Sequence, residues 1–516
     1  MDGTGATPGA FSSITTAVAA AGSGDTIYIR GMELNGSPVG YCETPYLPYQ
    51  GPETFPIVLK PGMVLKPMDT TAVHVWTTSG SPPPALFQVQ ARTGSEMTKL
   101  ESLILGGGQV GLLVDGTGGG NYDVTVKDVI FARNSIGLAA LADQGADVHV
   151  KVQDCRIHDG AIVVPGGASP VPQKQSIGLQ FHATDQGTPG KVTAEVNNFK
   201  VVGNYLLSAM EPLDFAVEPN DLATLDKVTR VVEVFVDGMT PEHPDPFGQG
   251  HEKETQPIAE VDLVINGGVF DGQASATSGW GIGVYAAADR FPANSNPGDY
   301  YCGYDVILTG VALRDFRHTG VYATVGAESR GALHLNGQTS LSDMGPQHAP
   351  AAPLDGSGAI LFAEEGYLAL HAADATIVDN DSHGLVLDTP ATLQKDSNYP
   401  AGLFLDLQDT GIHGNGGHGL LLSAGKAWDP SGYAVQNAIV GGTWDSWHVM
   451  SAHGKSLVAN QEPTDLGHGQ GKVDRCAISN NGGAGIWAFS RADDGPNLAI
   501  SNVRFTNTFV WNNGGG

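Results

Sequence analysis

What most limits the fold of this chain is a short phrase that it repeats. Leu403 to Leu422 reads LFLDLQDTGIHGNGGHGLLL, and Tyr367 to Leu387 reads YLALHAADATIVDNDSHGLVL. In both, alternating apolar residues lead to a polar corner, an isolated Ile, an Asn/Gly corner, and a Gly that opens another apolar strand. The phrase returns at 473–487, 304–322, 122–138 and 148–164. Each copy holds short strands with inward positions two apart. The corners lack the paired Asn-Gly of tight hairpins, and the unit always repeats in one direction, which excludes an antiparallel meander.

Units that stack in parallel, each hydrogen-bonded to the one before, bury their isolated aliphatics in a continuous interior. Ile377, Ile412 and Ile478 then form one inner column, and Asn380, Asn415 and Asn481 line the corner beyond it. Asn suits that corner because it tolerates a left-handed backbone and can hydrogen-bond from rung to rung. At the start of the chain, Ser13 can cap a helix carrying Ile14, Ala17, Val18 and Ala21 at helical spacing. Gly22 and Gly24 end it, and Thr26 to Ile29 reads as a strand. Such a helix covers the first rung, which would otherwise expose its core and strand edge.

The predicted fold is therefore all-β, a solenoid with a short N-terminal capping helix and long lateral loops. Residues 1–30 hold the helix and first strand, and 31–516 hold the coils, with irregular insertions near 211–256 and 291–303. Trp444 to His453 is a third irregular, aromatic-rich run. The repeats, together with Phe11 to Gly31 (FSSITTAVAAAGSGDTIYIRG), resemble the right-handed parallel β-helix, or pectate-lyase-like, superfamily. That resemblance implies a right-handed parallel β-helix, and it admits lyases, hydrolases, epimerases, tailspikes, adhesins and inert stalks. Asn507 to Gly516 stops partway through another rung, so a continuation or a partner is expected at that edge.

Charge narrows the partners. Acidic side chains number 54 against 26 basic, for a formal net charge of −28, and no Lys/Arg cluster interrupts them. Broad capture of nucleic acid or of an anionic membrane is disfavoured. No window reaches the roughly 18 apolar residues of a membrane span, and the first ten residues carry no leader pattern. A secreted or cell-surface location is expected from the resemblance, with any leader absent from this numbering. Cys42, Cys155, Cys302 and Cys476 lie far apart without a C-x-x-C pair, which predicts free or buried thiols rather than a disulfide framework, with loop-borne Cys42 and Cys302 the exceptions to watch.

Three constellations carry candidate chemistry. His383 and His418 precede Gly in matching phrases and stack if their coils are adjacent. With His413 on the same rung as His418, and with Arg314 and Arg317 in a preceding phrase, they form a candidate catalytic group. A neutral His there would abstract a proton, and an Arg would stabilise a uronate carboxylate. His243, Asp245, His251 and Glu252 supply imidazole and carboxylate ligands within ten residues, a composition that suits Zn or another transition metal. Ca²⁺ or another divalent metal is the cofactor expected. Asp379 and Asp381 are spaced as a glycosidase carboxylate pair would be.

Gly417-His418-Gly419 and Gly467-His468-Gly469 look like the Gly-His-Gly of polygalacturonases, but that family's Asn-Thr-Asp and Arg-Ile-Lys elements are absent. Arg290-Phe291-Pro292 lacks the second Arg of the pectate lyase motif. Two functions follow as expectations. One is an extracellular carbohydrate-active protein that binds and cleaves a polysaccharide or cell-surface glycan in a lateral groove. The other is a non-catalytic surface module used as stalk, adhesin or assembly unit.

Overall fold

The computed structural model describes residues 10–29, 53–68, 73–77, 82–158, 176–185, 188–202, 228–238, 259–273, 279–289, 302–326, 329–345, 354–363, 367–389, 402–424, 438–440, 471–490, 499–501 and 503–514. Over these residues the chain is a parallel β-helix with three faces. One rung shows the plan: Asn121–Lys127 lies on the first face, Ile130–Ala132 on the second and Ile136–Ala142 on the third. The next rung repeats it residue for residue, with Val126 opposite Val152, Phe131 opposite Ile157 and Leu138 opposite Leu179. Among the described residues the third face stacks twelve such strands.

Both corner types are made by single residues in the left-handed region. Asp128, Asp154, Asp374 and Asp409 turn the first face into the second, and Asp315, Asp343, Asp379 and Asn480 turn the second into the third. Short polar side chains that bond locally are the residues that visit this region most readily after Gly. In three rungs the first corner lies within one long strand, Lys191–Val202, Ala259–Asp271 and Cys302–Arg314, where Asn198, Gly267 and Gly310 take φ 50°, 65° and 63°. In the middle rung Gly268 follows at φ 122°, where a Cβ would lie 2.3 Å from the Phe199 carbonyl oxygen.

The inner column is as the repeat predicts. Leu341, Ile377, Ile412 and Ile478 are in register and fully buried. Burial of each such side chain contributes about 1.5–3 kcal/mol. Beside it, Asn380 Nδ2 donates to Asn415 Oδ1 at 2.8 Å, Asn415 to Asn481 at 2.8 Å, and Asn481 to Asn513 at 2.9 Å. Each Oδ1 also accepts the backbone N–H of the Asn below, so these buried amides are satisfied along the ladder.

The capping helix, Ile14–Ala20, starts at Ser13, whose side chain accepts from the Thr16 N–H. Ile14, Ala17 and Val18 face the first rung. Glu53 sits at the same N-terminal, positive pole of the helix dipole, accepting from the Ile14 and Thr15 N–H groups at 2.6 and 2.8 Å. Lys60 Nζ bonds the Ala19 and Ala21 carbonyls at the helix C-terminus. Cys155, Cys302 and Cys476 are buried thiols outside any disulfide, while Cys42 lies outside the described residues. Burial pushes the Cys155 thiol up to about 12, which keeps it unreactive.

Two boundaries differ from the sequence expectation. Arg230–Asp237 is a strand of the third face inside the stretch 211–256, and Cys302 and Gly303 open a strand instead of closing a loop. Pro-rich and charged flanks hid the alternation of Val232, Val234 and Val236, all buried. Two residues join Lys127 to Ile130, whereas His158 to Ile177, Val202 to Arg230 and Asp237 to Ala259 are far longer connections.

Candidate functional site

Of the group expected from the Gly-His-Gly phrases, the structure brings two members together. His383 and His418 stack with ring centroids 5.1 Å apart and planes 13° from parallel, and Trp487 meets the His418 ring edge-on at 4.4 Å. Their Nδ1 atoms are taken. His383 Nδ1 accepts the His418 N–H at 2.9 Å, and His418 Nδ1 accepts the Ala484 N–H at 2.9 Å. Burial holds the His418 imidazole below its ordinary value, so it stays neutral as an acceptor. These histidines complete the backbone at the entry to the third face.

The other three members are placed apart from that stack. His413 belongs to the second-face strand Gly411–His413, across the Asn415 corner and opposite Val378 and Ser479. Arg314 ends Cys302–Arg314 and pairs with Asp271 at 2.7 Å on the exposed side of that strand. Arg317 is buried at the corner before Thr319–Val325, with its N–H on the Trp280 carbonyl. His243, Asp245, His251 and Glu252 lie outside the described residues. Among the described residues no cluster of three or more His, Cys, Asp or Glu is placed to hold a metal ion. Asp379 and Asp381 flank the ladder residue Asn380, and burial followed by the charge of Asp343 raises Asp381.

A different constellation emerges on the outward side of the third face. Strands Ile177–Thr184, Arg230–Asp237, Ile282–Asp289 and Thr319–Val325 align Gln180, Glu233, Tyr285 and Tyr322 in one column. His182, Phe235, Ala287 and Thr324 form the next. Alternation explains the placement: Leu179, Phe181, Val232 and Val234 fill the axis, so their neighbours point away from it.

Glu233 is the centre. It is only 5 % exposed, and its Oε1 accepts from His182 Nε2 at 2.6 Å and from Gln180 Nε2 at 2.9 Å. Arg230 Nη1 lies 2.7 Å from Oε2, and its guanidinium sits 5.1 Å above the Tyr285 ring. Tyr285 stacks on Tyr322 at 5.7 Å, and Phe235 flanks His182 at 5.4 Å. Burial alone would raise the Glu233 carboxyl, but the Arg230 charge with the His182 and Gln180 contacts brings it down to about 2.

An ionised carboxylate only accepts, so His182 Nε2 carries the proton in this contact, and in the neutral ring Nδ1 holds the lone pair. The His182 side chain is 24 % exposed against 6 % for Glu233, which makes it the accessible member of the pair. A carboxylate that fixes the tautomer of a partly exposed imidazole is the arrangement of a general base. Keeping Arg230 and Glu233 under cover is costly unless both are paired, and an apolar pair of similar volume would serve stability as well.

Sequence reasoning missed these residues. Arg230 and Glu233 interrupt an apolar strand at positions that alternation turns outward, a signal that needed the strand itself to be recognised. Pairing them with His182 needed the register between rungs 51 residues apart. The outward residues divide along the axis. Gln88, Leu113, Asp115, Leu141, Gln180, His182 and Phe235 are half-exposed. Beyond them Tyr285, Tyr322, Ile360, Val386 and Leu421 are buried as a second apolar cluster. No family model, no curated protein and no solved structure matches the chain.

Proposed function

We propose that this chain is an exported carbohydrate-active β-helix protein of the pectate-lyase-like kind. In this proposal a polysaccharide lies on the half-exposed side of the third face, and His182 exchanges a proton with it. The observation that carries the proposal is the His182–Glu233 contact at 2.6 Å, with the carboxylate anchored by Arg230. Glu233 positions the ring and stabilises the imidazolium that forms when Nδ1 takes a proton, so the charge never stands alone. Leu113, Leu141 and Phe235 offer apolar patches for sugar faces, and Gln88, Asp115 and Gln180 offer partners for hydroxyls.

The test is a panel of xylan, mannan, arabinan, xyloglucan, polygalacturonate and alginate, assayed for binding, for new reducing ends and for the ultraviolet absorbance of an unsaturated uronate. His182→Ala is expected to lower turnover at least about 100-fold, the usual contribution of a general base, while retaining binding. A wild-type protein that leaves every polymer intact and unbound refutes it. A non-catalytic rod is the second reading, and it is favoured by one observation. The histidines of the Gly-His-Gly phrases are spent on backbone amides, as a purely structural ladder would have them.

A further inference from the structure

The exposure of the third face changes abruptly at one rung, and the proton-transfer pair sits on the open side of that change. Each rung keeps a half-exposed outward position from Val58 through Gln88, Leu113, Leu141 and His182 to Phe235, with Ala139 and Glu233 buried beside Leu141 and Phe235. The next rung presents Tyr285 and Ala287, each 2 % exposed, and the one after presents Tyr322 at 0 % and Thr324 at 1 %. At about 4.8 Å per rung, the open stretch runs roughly 24 Å along the axis, room for a few sugar rings in line. The outward column is then closed from Tyr285 to Leu421 and opens again at Trp487, five rungs further on.

We infer that the site takes the end of a glycan chain, not its middle. A chain lying along the face from Val58 must stop at Phe235, because the positions that would receive its next residues are themselves covered. His182 is on the last rung but one of the open stretch, in register with Phe235, so its Nδ1 faces the terminal sugars. A groove for internal attack would need open positions on both sides of the base, and here the Tyr285–Tyr322 stack closes one side. This inference rests on the glycan reading above and specifies its mode.

The experiment titrates one polymer from the panel, cut by sonication into long and short pools, against wild type and against His182→Asn, which prevents turnover during the measurement. At equal mass, the number of sites filled is expected to track the molar concentration of chains, so shortening the polymer tenfold raises it about tenfold. A stoichiometry that tracks total mass overturns the inference while leaving glycan binding intact. For wild type, digestion is expected to release one short product with viscosity falling slowly, and an early viscosity collapse with products of many sizes overturns it as well. Absence of binding to all six polymers instead removes the underlying glycan proposal.

Discussion

Up to Phe235 the outward side of the third face behaves as a protein surface, with Leu113, Leu141 and His182 half-exposed. From Tyr285 to Leu421 the same side behaves as a core, and Ile360, Val386 and Leu421 are buried as completely as the axial Ile412. The two halves share strand direction, register and inward residues. They differ in the side chains that alternation turns outward: mixed polar groups in one, aromatics and aliphatics in the other. A solenoid face thus becomes wall or floor according to one residue in two. The costly buried ions, Arg230 and Glu233, stand where one regime meets the other.

The largest effect that tests this division is a matched truncation. Tyr322→Ala should cost about 3–5 kcal/mol, as emptying a packed aromatic site does, whereas Leu141→Ala should cost under about 1 kcal/mol because water already reaches it. Thermal melts with hydrogen exchange to localise the loss would read this out. Equal losses would mean that the two halves do not differ in packing.

Acid should separate the halves next. His418 is held below its ordinary value, so the folded state resists a proton that the unfolded chain accepts. Its contribution is complete above about 6.5 and fades as pH falls toward the depressed folded value. Glu233 is depressed from 4.5 to about 2, so its contribution persists down to about 4.5 and is lost only on approach to about 2. Hydrogen exchange corrected for intrinsic rates should show residues 385–424 loosening at mildly acid pH, before residues 177–237. The reverse order would break the assignment of Nδ1 as an acceptor.

The smallest effect concerns the corner that leads into the covered half. Burial first, then the charges of Asp271 and Asp343, push the Asp315 carboxyl up to about 6. Above that pH the folded state holds a charge that it disfavours, so stability falls as pH rises from 3.8 through about 6. Asp315→Asn keeps the left-handed corner and should stabilise the protein at neutral pH. Solvent screening of this half-exposed group keeps the gain under about 1 kcal/mol. Below pH 3.8 the difference should vanish, and a constant gain at all pH values would point to the amide and not to the charge.

How much was legible follows from what repeats encode. Ile377, Ile412 and Ile478 could be aligned from sequence because each phrase carries its own strand, corner and Gly, and the structure sets them in one buried column. The Asn ladder and the Ser13 cap were legible for the same reason, since their signals are local. The candidate site was not. Arg230 and Glu233 belong to a rung without the phrase, and His182 lies beyond the phrase of its own rung, past a long connection, so their meeting depends on register set by neighbours far away in sequence. Motif matching pointed to His418, where repetition alone accounts for the histidine.

The Asn ladder has a chemical consequence of its own. Asn415, Asn481 and Asn513 are each followed by Gly, the pairing in which the next backbone nitrogen most easily attacks the side-chain carbonyl and converts Asn to Asp through a cyclic imide. In the coil, each of these carbonyl oxygens accepts from the rung below, and the backbone at each corner is fixed, so the attack geometry is denied. Every unwinding of these rungs lifts that protection, and each conversion would leave a carboxylate inside the stack. Deamidation at these three positions therefore serves as a cumulative record of how often this part of the coil has come undone.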